Sequence, residues 1–187
     1  MNRRKRAGAR EDFISFSIYE ASAPVFVNAF VNVQAWLDKA VAEGKDEKAL
    51  MEARLAPDMY PLSKQIQIAS DTAKGAIARL TGIEAPSMAD TEASFAELKG
   101  RCQKTIDFIN SVDRAKFDGA ETRQVTLKFP GGMGYHFVGS DYLTSFALPN
   151  FFFHLTTTYA LLRAAGVAVG KPDFLAHIGA PIKLDAA

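Results

Sequence analysis

The chain has 187 residues and a formal net charge of +1, a length suited to one domain that buries most of what its unfolded form exposes. Cys102 is the only cysteine, which excludes an internal disulfide and fits a reducing, cytoplasmic setting. Arg3, Arg4, Lys5, Arg6 and Arg10 are five unopposed positive charges; taking them from the net of +1 leaves the remainder at −4, and a mildly acidic body argues against a nucleic-acid-binding face.

Residues 1–12 read as a basic tail without regular structure, because Glu11 and Asp12 interrupt before any run of signal-peptide type. No stretch approaches the ~20 apolar residues of a membrane span, so no membrane partner is expected. Ser22 and Pro24 predict the start of the first helix, whose seam is Phe26, Phe30, Val33, Leu37 and Ala40 in steps of four and three, closed by Gly44. A short charged piece, Asp46 to Arg54, leads into Ala56-Pro57-Asp58-Met59-Tyr60-Pro61, where each proline pushes the preceding residue out of helical geometry. The second helix carries Leu62, Ile66, Ala69, Ala73, Ala76 and Leu80, with Gly82 as its stop. The third is predicted from Asp90 or Thr91, with Phe95, Leu98, Cys102, Thr105 and Ile109 on one side, fraying near Asp113.

Period-two alternation over Arg123 to Phe129 and Tyr135 to Val138, either side of Pro130-Gly131-Gly132, reads as a β-hairpin. The fourth helix runs from a cap at Ser140 or Asp141 to Gly166 and is apolar on nearly every side, the mark of a helix surrounded by protein. Pro149 removes the bond to the Ser145 carbonyl and should bend or open that helix. Four amphipathic helices with mostly short connections pack most economically as a four-helix bundle: an all-α domain over 13–176 with a small β-hairpin between helices three and four, followed by a C-terminal tail, 177–187.

Steps of three and four along the fourth helix put Leu143, Ala147, Asn150, His154, Thr158 and Leu161 on one stripe, polar in the middle. Gln65 falls on the seam side of the second helix, with Asp58 and Tyr60 one turn before it. If these helices are neighbours, Gln65, Asn150, His154 and Thr158 converge, a set able to hold a polar ligand, orient a water or bind a divalent metal weakly. The competing reading is structural, since buried polar groups are far more often hydrogen-bonded than catalytic. Metal sites in bundles recruit several inward His and Glu side chains, yet His136, His154 and His177 are the only histidines and no two share a helix. Gly131-Gly132-Met133-Gly134 lacks the lysine of a phosphate loop and reads as a turn. There is no Gly-x-Ser-x-Gly, Cys-x-x-Cys or His-Glu-x-x-His pattern. Phe151-Phe152-Phe153 covers almost a full helix circumference, which offers one face to a second subunit.

Four stretches carry a resemblance: Ser17-Ile-Tyr-Glu with Pro24-Val-Phe; Ala53-Arg-Leu-Ala-Pro-Asp-Met-Tyr-Pro-Leu62 leading to Gln65-Ile-Gln-Ile-Ala69; Phe117-Asp-Gly119; and Phe146-Ala-Leu-Pro-Asn-Phe-Phe-Phe-His154-Leu-Thr-Thr-Thr-Tyr-Ala160. With these the chain resembles the DinB-like superfamily, and within it an uncharacterised bacterial branch, the domain-of-unknown-function family nineteen ninety-three. The resemblance implies a four-helix bundle in up-down-down-up order, frequently a homodimer. That order needs residues 82–90 to run back along the bundle; extended at ~3.3 Å each they reach about 30 Å, the length of a ~20-residue helix. Many DinB-like proteins hold a divalent metal through three histidines, one on the second helix and two spaced four apart on the fourth, and some resemble metal-dependent thiol transferases or isomerases. Here His154 matches one such position, its four-residue neighbours are Asn150 and Thr158, and the second helix offers Gln65 or Gln67, so the triad is incomplete.

The favoured expectation is a small polar ligand hydrogen-bonded by His154 and oriented by Asn150 and Gln65. A metal-dependent enzyme is the alternative, with His154 as principal ligand and Gln65, Asn150, Thr158 or Asp58 acting through water. A third is a structural or partner-binding dimer. The sequence leaves open whether the protein is an enzyme.

Overall fold

The computed structural model describes residues 16–184, so the basic tail expected at 1–12 lies outside the described residues. The fold is mostly helical with one small antiparallel hairpin. Helix α1, Ile18–Ala42, begins well before the predicted Ser22 and Pro24, because Ser17 and Glu20 form a reciprocal capping box: Glu20 N–H donates to Ser17 Oγ at 3.3 Å and Ser17 N–H to Glu20 Oε2 at 3.1 Å. Pro24 therefore sits inside the helix, held between buried Ala23 and Phe26. A short α2, Glu47–Met51, is capped by Asp46. Helix α3, Leu62–Thr81, ends at Gly82, whose φ of 77° lies in the left-handed region that favours glycine.

Helix α4, Phe95–Ser111, is capped by Ser94, not by Asp90 or Thr91. Asp90 is used elsewhere, in ion pairs to Lys64 and Arg101. Strands β1, Gln124–Lys128, and β2, Gly134–Val138, pair with Thr126 opposite His136 and with Val125 and Leu127 buried. The chain then enters α5, Gly139–Tyr142, so closely that a Cβ at Gly139 would stand 1.8 Å from the Ala120 carbonyl oxygen. A π-helical turn, Leu143–Ala147, joins α5 to α6, Leu148–Ala164, and a last short helix, α7, comprises Lys171–Phe174.

Side-chain pairings fix how the four long helices run. Gln65, Thr72 and Arg79 on α3 bond to His154, Asn150 and Tyr142 in that descending order, so α3 and the Tyr142–Ala164 segment are antiparallel. Phe26 and Phe30 meet Phe151, and Trp36 meets Tyr159, so α1 and α6 are parallel. The connection from α3 to α4 returns along α3: Lys74 donates to the Pro86 carbonyl at 3.1 Å, and Lys64 reaches Asp90. Helices α3 and α4 consequently start at the same end, with Ser70 and Thr105 hydroxyls 2.8 Å apart between them. Trp36, Phe26, Phe30, Phe151, Leu37 and Leu80 are fully enclosed in the core. Among the described residues no helix is long and apolar enough to cross a membrane.

Candidate functional site

His154 is 8% exposed and projects from α6 against α3. Its Nδ1 lies 2.7 Å from Gln65 Oε1, and the Gln65 amide nitrogen donates to the Tyr60 carbonyl at 2.9 Å. An amide oxygen only accepts, so the imidazole proton sits on Nδ1 and the Nε2 lone pair is left over. That nitrogen finds no partner among the described residues and is not among the buried atoms that lack one, which puts it at the solvent boundary. Burial holds the ring's pKa below the usual 6.5, so the imidazole is neutral at neutral pH. The half-exposed Phe153 ring stands edge-on to it, centroids 5.2 Å apart.

The remaining expected residues divide. Thr158 is buried and its hydroxyl donates to the His154 carbonyl at 2.9 Å, one turn further on. Asn150 does not bond to His154; its amide donates to Thr72 Oγ1 at 2.8 Å. Asp58 is exposed in the proline-bounded turn ahead of α3. Gln67, the alternative to Gln65, points the other way and donates to Glu92 at 2.8 Å. The structure thus brings Gln65 to His154, keeps Thr158 adjacent through the backbone, and gives Asn150 and Asp58 other surroundings. The π-helical turn ends just before Pro149, with Leu148 N–H bonded to Leu143 O across the widened turn, and such turns recur at functional sites.

A divalent metal does not fit this donor set. His154 supplies one nitrogen, Gln65 Oε1 is occupied by the Nδ1 proton, and among the described residues no group of three His, Cys, Asp or Glu side chains is placed to hold an ion.

Sequence reasoning passed over a second polar cluster. Arg101 is 2% exposed and reaches Asp71 at 2.8 Å, Asp90 at 3.0 Å and Glu92 at 3.0 Å, with the Ala89 carbonyl at 3.1 Å. Burial pushes the Asp90 and Glu92 carboxyls up, but hydrogen bonds and charge outweigh it, from Lys64 and Arg101 at Asp90 and from Arg101 and Gln67 at Glu92, and hold both below the usual range. Arg101 follows Leu98 and precedes Cys102 beside the α4 seam, the one signal that could have flagged it. The Cys102 thiol, wholly buried, is pushed up to about 12 by desolvation and behaves as a small hydrophobe.

Two clefts lie elsewhere. One of about 830 Å³ runs between the returning connection and α4, past Glu92, Arg101, Lys104 and Asp107. Another of about 420 Å³ opens between α1, α6 and the C-terminal segment. Neither is lined by His154, Gln65 or Asn150.

Long helices in this arrangement, with a hairpin and a histidine facing α3, place the chain in the DinB-like class. It is similar over 91% of its length to 96% of a DinB family member protein from Shewanella denitrificans, at 34% identity and a TM-score of 0.78. The chain belongs to the family described as Domain of unknown function (DUF1993), whose model matches residues 18–175. No curated protein matches it.

Proposed function

We propose that this chain is a DinB-like four-helix bundle, one domain over 13–176, that binds a small polar ligand at the α3–α6 seam through His154 Nε2. The observation that carries the reading is the fixed imidazole: Nδ1 is committed to Gln65, Gln65 is committed to Tyr60, and Nε2 alone is free to accept. A neutral ring held this way accepts a proton-bearing O–H or N–H group without itself needing a counter-ion. Gln65 orients the ring. Thr158 stiffens the next turn, and Asn150, tied to Thr72, fixes the turn before. None of the clefts among the described residues is lined by His154, which counts against an enclosed site, so the reading is of a shallow contact at the edge of the seam beside the exposed Phe153. The same exposed Phe153 offers a face for homodimer formation in competition with the ligand, and sedimentation velocity of Phe153→Asp would then show monomer where the parent chain is dimeric.

Nitrogen NMR of ¹⁵N-histidine-labelled protein tests the site. With a panel of hydroxyl- and amide-bearing small molecules, and with zinc alone, at least one organic compound should shift the His154 Nε2 resonance, and Gln65→Ala should weaken that response. If no compound moves the resonance while His154→Ala changes only thermal stability, the ring is structural and the reading fails. A zinc-dependent rise in Tm that His154→Ala removes would restore a metal role.

A further inference from the structure

We propose that the cleft between α1, α6 and α7 is a separate binding site for a small uncharged molecule with an aromatic body and one amide or hydroxyl group. Its volume of about 420 Å³ falls in the ~300–1,000 Å³ range of ligand clefts. Val25, Ala29, Phe152, Leu155 and Phe174 give it mostly apolar walls, and the two phenylalanines favour a flat ring by stacking or edge contact. Of the uncharged polar side chains lining the cleft, Asn28 is half-buried and makes no hydrogen bond to another described residue, Asn32 is tied to the Phe174 carbonyl, and His177 is exposed, so Asn28 supplies the polar point. One amide both donates and accepts, so it pairs with a ligand amide or hydroxyl. Glu20 stands at the opening but is already committed to the Ser17 N–H and to Arg114, so the cleft does not demand a cation.

The roof is built in advance. Asn32 donates to the Phe174 carbonyl at 2.8 Å, the Trp36 indole N–H donates to the Asp173 carbonyl at 3.3 Å, and Lys39 pairs with Asp173. The Trp36 ring also stacks on Phe174 with centroids 5.5 Å apart. A four-residue helix anchored at so many points keeps the cleft open before anything enters, which lowers the ordering cost of binding. The site is independent of His154, which faces α3 while Phe152 and Leu155 face α1.

Two other occupants compete for the same cleft. One is the chain's own C-terminal arm, where Ile182 and Leu184 are 80% and 78% exposed just beyond the cleft's rim at His177. The other is a second copy. The test uses the full chain, 2-naphthamide as the probe, ligand-detected NMR, and the indole N–H resonance of Trp36, the sole tryptophan. Saturable binding is expected to move that resonance, to weaken at least tenfold in Asn28→Ala, to vanish in Ala29→Leu, and to persist unchanged in His154→Ala. Absence of saturable binding, a stationary Trp36 signal, or binding indifferent to Asn28→Ala overturns the proposal, and the partly exposed Asn28 keeps that test open should Ala29→Leu not fold. Binding gained only when the chain is stopped after His177 assigns the cleft to the arm. Binding that disappears as protein concentration drives dimerisation assigns it to a second copy. Either result also overturns the small-molecule reading.

Discussion

The Gln65 side chain is 1% exposed and bridges two groups that have no other partner among the described residues, the His154 Nδ1 proton and the Tyr60 carbonyl. Gln65→Ala leaves the first of these unpaired beside the core, at a cost of about 1–3 kcal/mol measurable by urea unfolding. The pH dependence has a definite sign. Burial depresses the folded-state pKa of His154, so the unfolded chain takes up a proton that the folded chain resists. Stability from this group is complete above the ordinary imidazole value of 6.5 and declines as pH falls below it, and His154→Gln should flatten that part of a Tm-versus-pH curve. Helical spacing in the sequence was enough to put His154 and Gln65 on facing seams. It did not reveal that Asn150 would go to Thr72: Thr72 stands seven residues after Gln65 on the same face of α3, but periodicity fixes faces and not which polar side chains pair across them. Arg101 was invisible for a related reason: its three carboxylates come from one position on α3 and two in an irregular connection, a grouping that exists only after folding.

At the level of elements, the connection between α3 and α4 is held down by side chains more than by backbone pairing. Arg101 gathers Asp71, Asp90, Glu92 and the Ala89 carbonyl, while Lys74 takes the Pro86 carbonyl. Arg101→Ala leaves Glu92 with Gln67 alone, while Asp71 keeps Lys74 and Asp90 keeps Lys64. Since Asp71 and Asp90 are partly exposed, the loss should fall near the low end for broken buried pairs, about 3 kcal/mol, with amide exchange rising first in residues 84–92. The depressed carboxyls of Asp90 and Glu92 contribute stability above their ordinary values of 3.8 and 4.5. That contribution is lost as pH falls through the folded-state values, and Arg101→Ala should shrink this acid limb to the part that Lys64 gives Asp90. Helix existence was readable from periodicity, but three starts were displaced, the last segment beginning at Gly139 after Val138 with no cap from Ser140 or Asp141. A capping box outranked Pro24 in α1, and Asp90 was drawn away from α4 by Arg101 and Lys64.

Across the whole molecule, one contiguous core joins all four long helices and the hairpin's Val125. Urea unfolding followed by Trp36 fluorescence and by far-UV circular dichroism should therefore give coincident transitions. An earlier fluorescence change would mean that the C-terminal cover over Trp36 releases by itself.

The π-helical turn decides which way α6 looks. Tyr142 and His154 are twelve residues apart, and at about 100° per residue an unbroken α-helix would set them roughly 120° apart around the axis. Both nevertheless bond to α3. The one extra residue accommodated in Leu143–Ala147 takes back about 100° of that offset and brings Tyr142, Asn150 and His154 onto a common line. Without this phase slip the imidazole would swing away from Gln65. Deleting one residue from Leu143–Ala147 together with Pro149→Ala should preserve the Nδ1-protonated tautomer in nitrogen NMR, whereas deleting one of residues 151–153 should abolish it.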